Sequence, residues 1–152
     1  MMWKDSDLPD GTSLWLWEVI ESANRSLRQL CRRLETMDGD QLRRYCREYD
    51  EAKGWVNPCY CPEFHPSERC PEDFGDDFSV WVVAQGLAFY MEVWKNPERI
   101  DEYLKSFELI DLGRGYADRD WDHEADREEY LGWQCPLGVA HALHYHRYGE
   151  EC

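Results

Sequence analysis

At 152 residues the chain has room for one domain around one core, and 43% hydrophobic content with eight Trp and nine Tyr is more apolar surface than a disordered chain carries. A formal net charge of −15 argues against nucleic acid or an anionic membrane as partner, because like charges repel. The charge is uneven: residues 1–55 carry 9 basic and 11 acidic side chains, whereas residues 56–152 carry 8 and 21. Such a field steers a basic protein toward the second half; its plainer use is to keep an aromatic-rich protein in solution.

The polar arm 1–11 is followed by an apolar run, Leu14 to Ile20, that is short and contains Glu18, so no signal peptide is expected. Seven cysteines without such a signal predict a cytoplasmic protein whose thiols stay free or bind metal. Thr12 or Ser13 can cap a first helix, in which Leu16, Ile20, Ala23, Leu27, Leu30 and Leu34 recur at helical spacing, as one helix or as two breaking near Ser22–Ser26. After Asp38-Gly39, Asp40 is expected to cap a second amphipathic element carrying Leu42, Tyr45, Cys46 and Tyr49, stopped by Gly54. Arg25, Arg28, Arg32, Arg33, Arg43, Arg44 and Arg47 line these helices, and a face that is solvated, or salt-bridged against the acidic second half, is their simplest reading.

Pro58, Pro62, Pro66 and Pro71 exclude a continuous helix over 55–73 and predict a long stiff loop. Residues 78–94, FSVWVVAQGLAFYMEVW, are apolar nearly all round, so a buried central helix over about 76–95 is expected. Its SVWVV start leaves a strand as the second reading. Internal Gln85 and Glu92 argue against a membrane span. Asn96-Pro97 opens a helix to about Phe107, a Gly-containing linker covers 109–117, and Cys135-Pro136 opens a last helix ending near Tyr148. The expectation is one mostly α domain over 1–152, a helical bundle.

Several of these segments resemble an uncharacterised bacterial family, the domain of unknown function 4240. Leu16-Trp17-Glu18-Val19-Ile20-Glu21-Ser22-Ala23 is similar to its F-W-x-x-I-x-x-A helix. Cys70-Pro71-Glu72-Asp73, with Phe78, Trp81, Val82, Val83 and Gly86, is similar without gaps to its G-C-S-D-D-x-F-x-x-F-R-x-W-L-I-x-x-G segment. NPERIDEYL and LGVAHALHYHRYGEE resemble the later helices. The chain departs from the motif at Pro71, Glu72 and Ser79, where the family has Ser, Asp and Arg. The resemblance implies a small α-helical domain and supplies no mechanism.

Four groups of residues could carry chemistry. Cys59, Cys61, His65 and Cys70 are soft ligands of the kind zinc takes, although their C-x-C-x3-H-x4-C spacing lacks paired C-x2-C knuckles; proline-stiffened packing of the thiols is the competing account. Cys70, Glu72 and Asp73 could form a small-molecule enzyme's corner, but the carboxylates disfavour a thiolate, and capping of the central helix by Asp73 or Asp76 is simpler. Asp118, Asp120, Asp122, Glu124, Asp126 and Glu129 fall at the ligand positions of a calcium-binding loop, spoiled by His123 where glycine is required. His141, His144 and His146 cannot all face one metal on an unbroken helix; His141, Tyr145 and Tyr148 read better as a half-buried stripe.

No nucleophile elbow, phosphate loop or dinucleotide fingerprint accompanies them, so the expected function is binding. Glu72, Asp73, Asp76, Asp77, Asp118, Asp120, Asp122, Glu124 and Asp126, with Trp121 and Trp133 as aromatic anchors, would dock a basic protein partner, as small acidic immunity or antitoxin-like proteins do. A metal-binding protein with zinc in the 59–70 loop is the alternative, and no other cofactor is implied.

Overall fold

A computed structural model describes residues 2–111, 121 and 135–152, the side chains of 109–111 excepted. The described residues form seven α-helices and two short 3-10 turns, without a strand. The helices are α1 (Leu14–Ser22), α2 (Leu27–Glu35), α3 (Gly39–Val56), α4 (Glu72–Ala84), α5 (Leu87–Lys95), α6 (Ile100–Asp111) and α7 (Pro136–Tyr148). The all-α bundle expected from the periodicities is therefore present.

Local chemistry explains the boundaries. The first apolar stripe is split: Ala23 ends α1, Asn24 and Arg25 take positive φ, and Ser26 caps α2 by accepting from the Gln29 amide at 3.2 Å. Ser13 stands at the α1 N-cap position, but its hydroxyl donates to buried Glu48, and Asp5 takes the orphan Leu14 amide at 2.8 Å. Asp38, rather than Asp40, caps α3 in a reciprocal box with Gln41, and α3 runs through Gly54 to Val56. A glycine one turn from a helix end weakens that turn without breaking it. At α7 the Cys135 thiol accepts from the Gly138 amide, with Pro136 at the first helical position, as the dipeptide suggests.

The 76–95 stretch is helical and buried but interrupted. Gly86 adopts φ +104, ψ 171, a conformation almost confined to glycine, and it separates α4 from α5. Val80 to Ala84 are buried on every side of α4, which overrides the β-branched strand signal. Neither Asp73 nor Asp76 caps α4: its N-cap position is Pro71, without a side-chain cap.

α3 lies at the centre, packed against α1, α4, α5 and α7. Tyr49 of α3 donates its hydroxyl to the Val80 carbonyl of α4 at 2.9 Å, Tyr45 donates to Pro136 of α7 at 3.1 Å, and Tyr90 of α5 donates to Ala52 of α3 at 2.8 Å. Burial pushes the Tyr45 and Tyr90 hydroxyls well above the ordinary tyrosine range, so they stay neutral donors. Phe78, Trp81, Phe89, Phe107 and Phe74 form a continuous tilted and edge-on ring cluster joining α4, α5 and α6.

A disulfide joins Cys46 of α3 to Cys152, closing a loop across 106 positions, while Cys31, Cys59, Cys61, Cys70 and Cys135 remain thiols outside any disulfide. This corrects the expectation of thiols that are all free or metal-bound. No described helix is long and apolar enough to cross a membrane.

Gly86→Ala should lower stability by about 1–3 kcal/mol, because an alanine must hold that backbone conformation under strain. Gly54→Ala, whose added methyl meets nothing within 4 Å, should instead raise it by about 0.5–1 kcal/mol. Urea unfolding of the two variants checks the opposite signs.

Candidate functional site

The predicted sites fall into three places. The Pro/Cys-rich loop starts where buried Asn57 accepts from the Cys59 amide at 2.9 Å. That turn points Cys59 back, and its thiol donates to the Cys70 carbonyl at 3.2 Å. Both sulfurs lie over Gly75 of α4, whose missing side chain makes their room: a Cβ there would stand 2.5 Å from Cys59 Sγ and 3.4 Å from Cys70 Sγ. Cys61 faces elsewhere, packed on the core with its thiol donating to Glu63 at 2.9 Å, and His65 is exposed. The four residues proposed as a zinc centre thus divide into one thiol pair and two separate side chains, because Cys59 and Cys61 leave the turn in different directions.

Cys61 and Cys70 are poor nucleophiles. Burial pushes Cys70 up to about 12, with the adjoining Cys59 thiol adding to it, and burial followed by the Glu63 bond pushes Cys61 up to about 11. Glu72 instead accepts a hydrogen bond from Tyr60, which raises that phenol to about 12. Asp76 pairs with Lys53 at 2.8 Å. The corner at Cys70, Glu72 and Asp73 therefore holds a protonated thiol beside carboxylates with other partners or none in contact with it.

Beyond this corner lies a groove of about 440 Å³ between the 66–71 segment and α6. Pro66, Pro71, Phe74 and Leu104 form its apolar surfaces, and Glu68, Asp101 and Glu108 stand around them with Arg69 and Lys105. Asp101 accepts from the Ser67 amide at 2.9 Å, tying the loop to α6. Glu72 and Asp73 follow Pro71 directly and are exposed.

Among the other predicted acidic-face residues, Asp118, Asp120, Asp122, Glu124, Asp126 and Trp133 lie outside the described residues, as does the 118–129 calcium pattern apart from Trp121. Trp121 is only 4% exposed, and its indole donates to the Ala84 carbonyl at 3.2 Å. It is a core residue here and offers no anchor to a partner. Asp77 is exposed on α4.

Three arginines of the stripe pair within their own half: Arg33 with Glu18 at 3.0 Å, Arg43 with Asp40 at 2.6 Å, and Arg44 with buried Glu48 at 2.6 Å. For these three the ion-pair partners are not in the acidic second half. Lys53 to Asp76 does cross.

The histidines of α7 also differ from expectation. His144 is the buried one, at 1% exposure, while Tyr145 and Tyr148 project outward. Arg43 can only donate to His144 Nε2 (3.1 Å), so Nδ1 carries the proton and donates to the Glu150 carbonyl at 2.7 Å. His141 stands beside the disulfide, and among the described residues the Cys46, His141 and Cys152 ligand atoms are the metal-capable trio that lies within 4.8 Å of one another. Spacing did not reveal this trio, since its members are scattered over 107 residues of chain, from Cys46 to Cys152.

No protein-family model, curated protein or solved structure matches the chain.

Because raised thiols present less than about one part in a thousand as thiolate at pH 8, Cys61 and Cys70 should alkylate far more slowly than an exposed cysteine. Their rates should keep climbing about tenfold per pH unit beyond pH 9, since deprotonation is what limits them. Mass spectrometry of iodoacetamide-treated protein across that range reads both effects.

Proposed function

We propose that the protein is a small acidic binding protein that docks a basic protein segment in the groove between the 66–71 loop and α6. The observation that carries this reading is a partly apolar groove lined by three acids, Glu68, Asp101 and Glu108, against two bases, Arg69 and Lys105, in a chain half whose acids outnumber its bases 21 to 8. Phe74 and Leu104 offer an apolar seat, and Glu68, Asp101 and Glu108 offer charge to lysines or arginines flanking an apolar anchor. Pairing of Arg33, Arg43 and Arg44 with their own half leaves the negative field of the second half less compensated. An immunity, antitoxin-like or regulatory role acting by occupation, in the cytoplasm, is the functional form of this reading, and membership of the family it resembles is compatible with it.

The small-molecule-enzyme reading at Cys70 draws no support from a thiol held protonated. A metal-binding reading is favoured by a different observation, the Cys46, His141 and Cys152 trio.

A fluorescent peptide alternating lysine and leucine should bind, and a glutamate–leucine peptide of equal length should not. Affinity should fall with added salt. Glu68→Lys with Glu108→Lys should weaken binding about 5- to 30-fold at low salt, about 1–2 kcal/mol. Glu21→Lys, on α1 and outside the groove lining, should change it little. Anisotropy titrations that give salt-independent binding, or equal binding by the double variant, would refute the reading.

A further inference from the structure

The segment after α7 is folded back by contacts that do not depend on its cysteine. Gly149 ends α7 at φ +75, donating its amide to the Tyr145 carbonyl at 2.8 Å. The Glu150 carbonyl is then held by His144 Nδ1–H at 2.7 Å, and that ring is fixed from its other side by Arg43. The reversal brings Cys152 beside Cys46, on the central helix, and beside His141 of α7. Cys46 is buried, whereas His141 and Cys152 are half-buried. Asp50, one turn further along α3, is close enough to His141 for their charges to interact.

Two thiolates and an imidazole form a donor set that zinc takes, with a fourth position for water. Around a tetrahedral zinc, ligand bonds of about 2.3 Å to sulfur and about 2.05 Å to nitrogen place sulfur and nitrogen about 3.5 Å apart, and two sulfurs about 3.8 Å apart. Cys152 Sγ and His141 Nδ1 already stand 3.5 Å apart. All three ligand atoms lie within 4.8 Å, so the remaining adjustment is a side-chain movement of Cys46 and Cys152 away from each other.

We propose that in the reduced protein Cys46, His141 and Cys152 bind one zinc ion, which holds the 149–152 segment against α3 and α7 in place of the disulfide. A dithiol reductant supplies two electrons and two protons to the disulfide, giving two thiols while it becomes a disulfide itself. Zinc then displaces both thiol protons, and neutral His141 donates its Nδ1 lone pair while its proton resides on Nε2. The disulfide and the metal are alternative staples at one place. The metal centre expected in the 59–70 loop is thereby moved to a site assembled from distant parts of the chain.

The test is metal loading of the full chain, reduced and passed from a zinc solution through a desalting column, followed by elemental analysis. One zinc per chain is expected for the wild type, and less than a tenth of that for Cys152→Ser and for His141→Ala. Both substitutions are at half-buried positions, and circular dichroism verifies that the helices remain. Cobalt in place of zinc should give thiolate charge-transfer absorption in the wild type and lose it in Cys152→Ser. Zinc should raise the melting temperature of the reduced wild type and leave that of His141→Ala unmoved. The double variant Cys59→Ser with Cys70→Ser should bind zinc as the wild type does. Absence of zinc from folded, reduced wild type overturns the proposal. So does a full equivalent in Cys152→Ser and His141→Ala, or loss of zinc from the loop double variant.

Discussion

The structure depends on burying α3 on several sides at once. A helix surrounded by other helices must carry bulky side chains in several directions, and three buried tyrosine hydroxyls meet that demand by bonding across helices. Tyr45 and Tyr49, one turn apart, reach α7 and α4, while Tyr90 reaches inward to α3 from α5. Each ring supplies a large apolar area, and each hydroxyl finds a helix carbonyl: Val80 within α4, Pro136 at the start of α7 and Ala52 near the end of α3. A buried hydroxyl without such a partner would cost roughly 1–3 kcal/mol, so the three bonds restrict how α4, α5 and α7 can be placed around α3. The groove and the trio both inherit their geometry from this arrangement: α4 carries Phe74 into the groove, and α3 and α7 bring Cys46 beside His141.

What could be read from the residues was what short-range chemistry determines. The period-3.6 stripes, the break near Ser22–Ser26, the opening of α7 at Cys135-Pro136 and the prolines of the 55–73 loop all act within a turn or two of themselves. Gly86 was visible as a glycine in an apolar run, but whether such a glycine is a packing residue or a left-handed break depends on the backbone around it. Asp38 and Asp40 are both plausible caps in composition, and the reciprocal bond to Gln41 decides for Asp38. Trp121 lies in an acidic stretch and looked like a surface anchor, yet its indole is inside the core against Ala84, 37 positions earlier. No local pattern encodes such a contact. Phe78, Trp81, Val82 and Val83 are all core residues and Gly86 is the helix break.

The charge distribution has a structural origin as well. Seven arginines between residues 25 and 47 make the first half nearly balanced, and three are tied to local carboxylates, of which Glu48 is buried. Arg44 is the clearest case: its guanidinium bonds Glu48, reaches the Ser13 hydroxyl at 3.1 Å and stacks 4.3 Å over Trp15. A cation used this way fixes α1 against α3 and is no longer available to neutralise acids elsewhere. The second half has fewer bases to begin with, so its carboxylates face solvent around the groove.

The two groups of cysteines differ for a reason that lies in the backbone. In the 59–70 loop, the turn at Asn57 and the bare Cα of Gly75 bring Cys59 and Cys70 together, but Cys61 is directed onto the core and His65 out to solvent. Proximity in the chain thus produced a hydrogen-bonded pair, in which burial pushes the Cys70 thiol up. Cys46, His141 and Cys152 are remote in sequence, yet each sits on an element whose position is determined independently: a central helix, the helix packed on it, and a tail reversed by Gly149 and His144. Their convergence is imposed by the fold and not by local spacing.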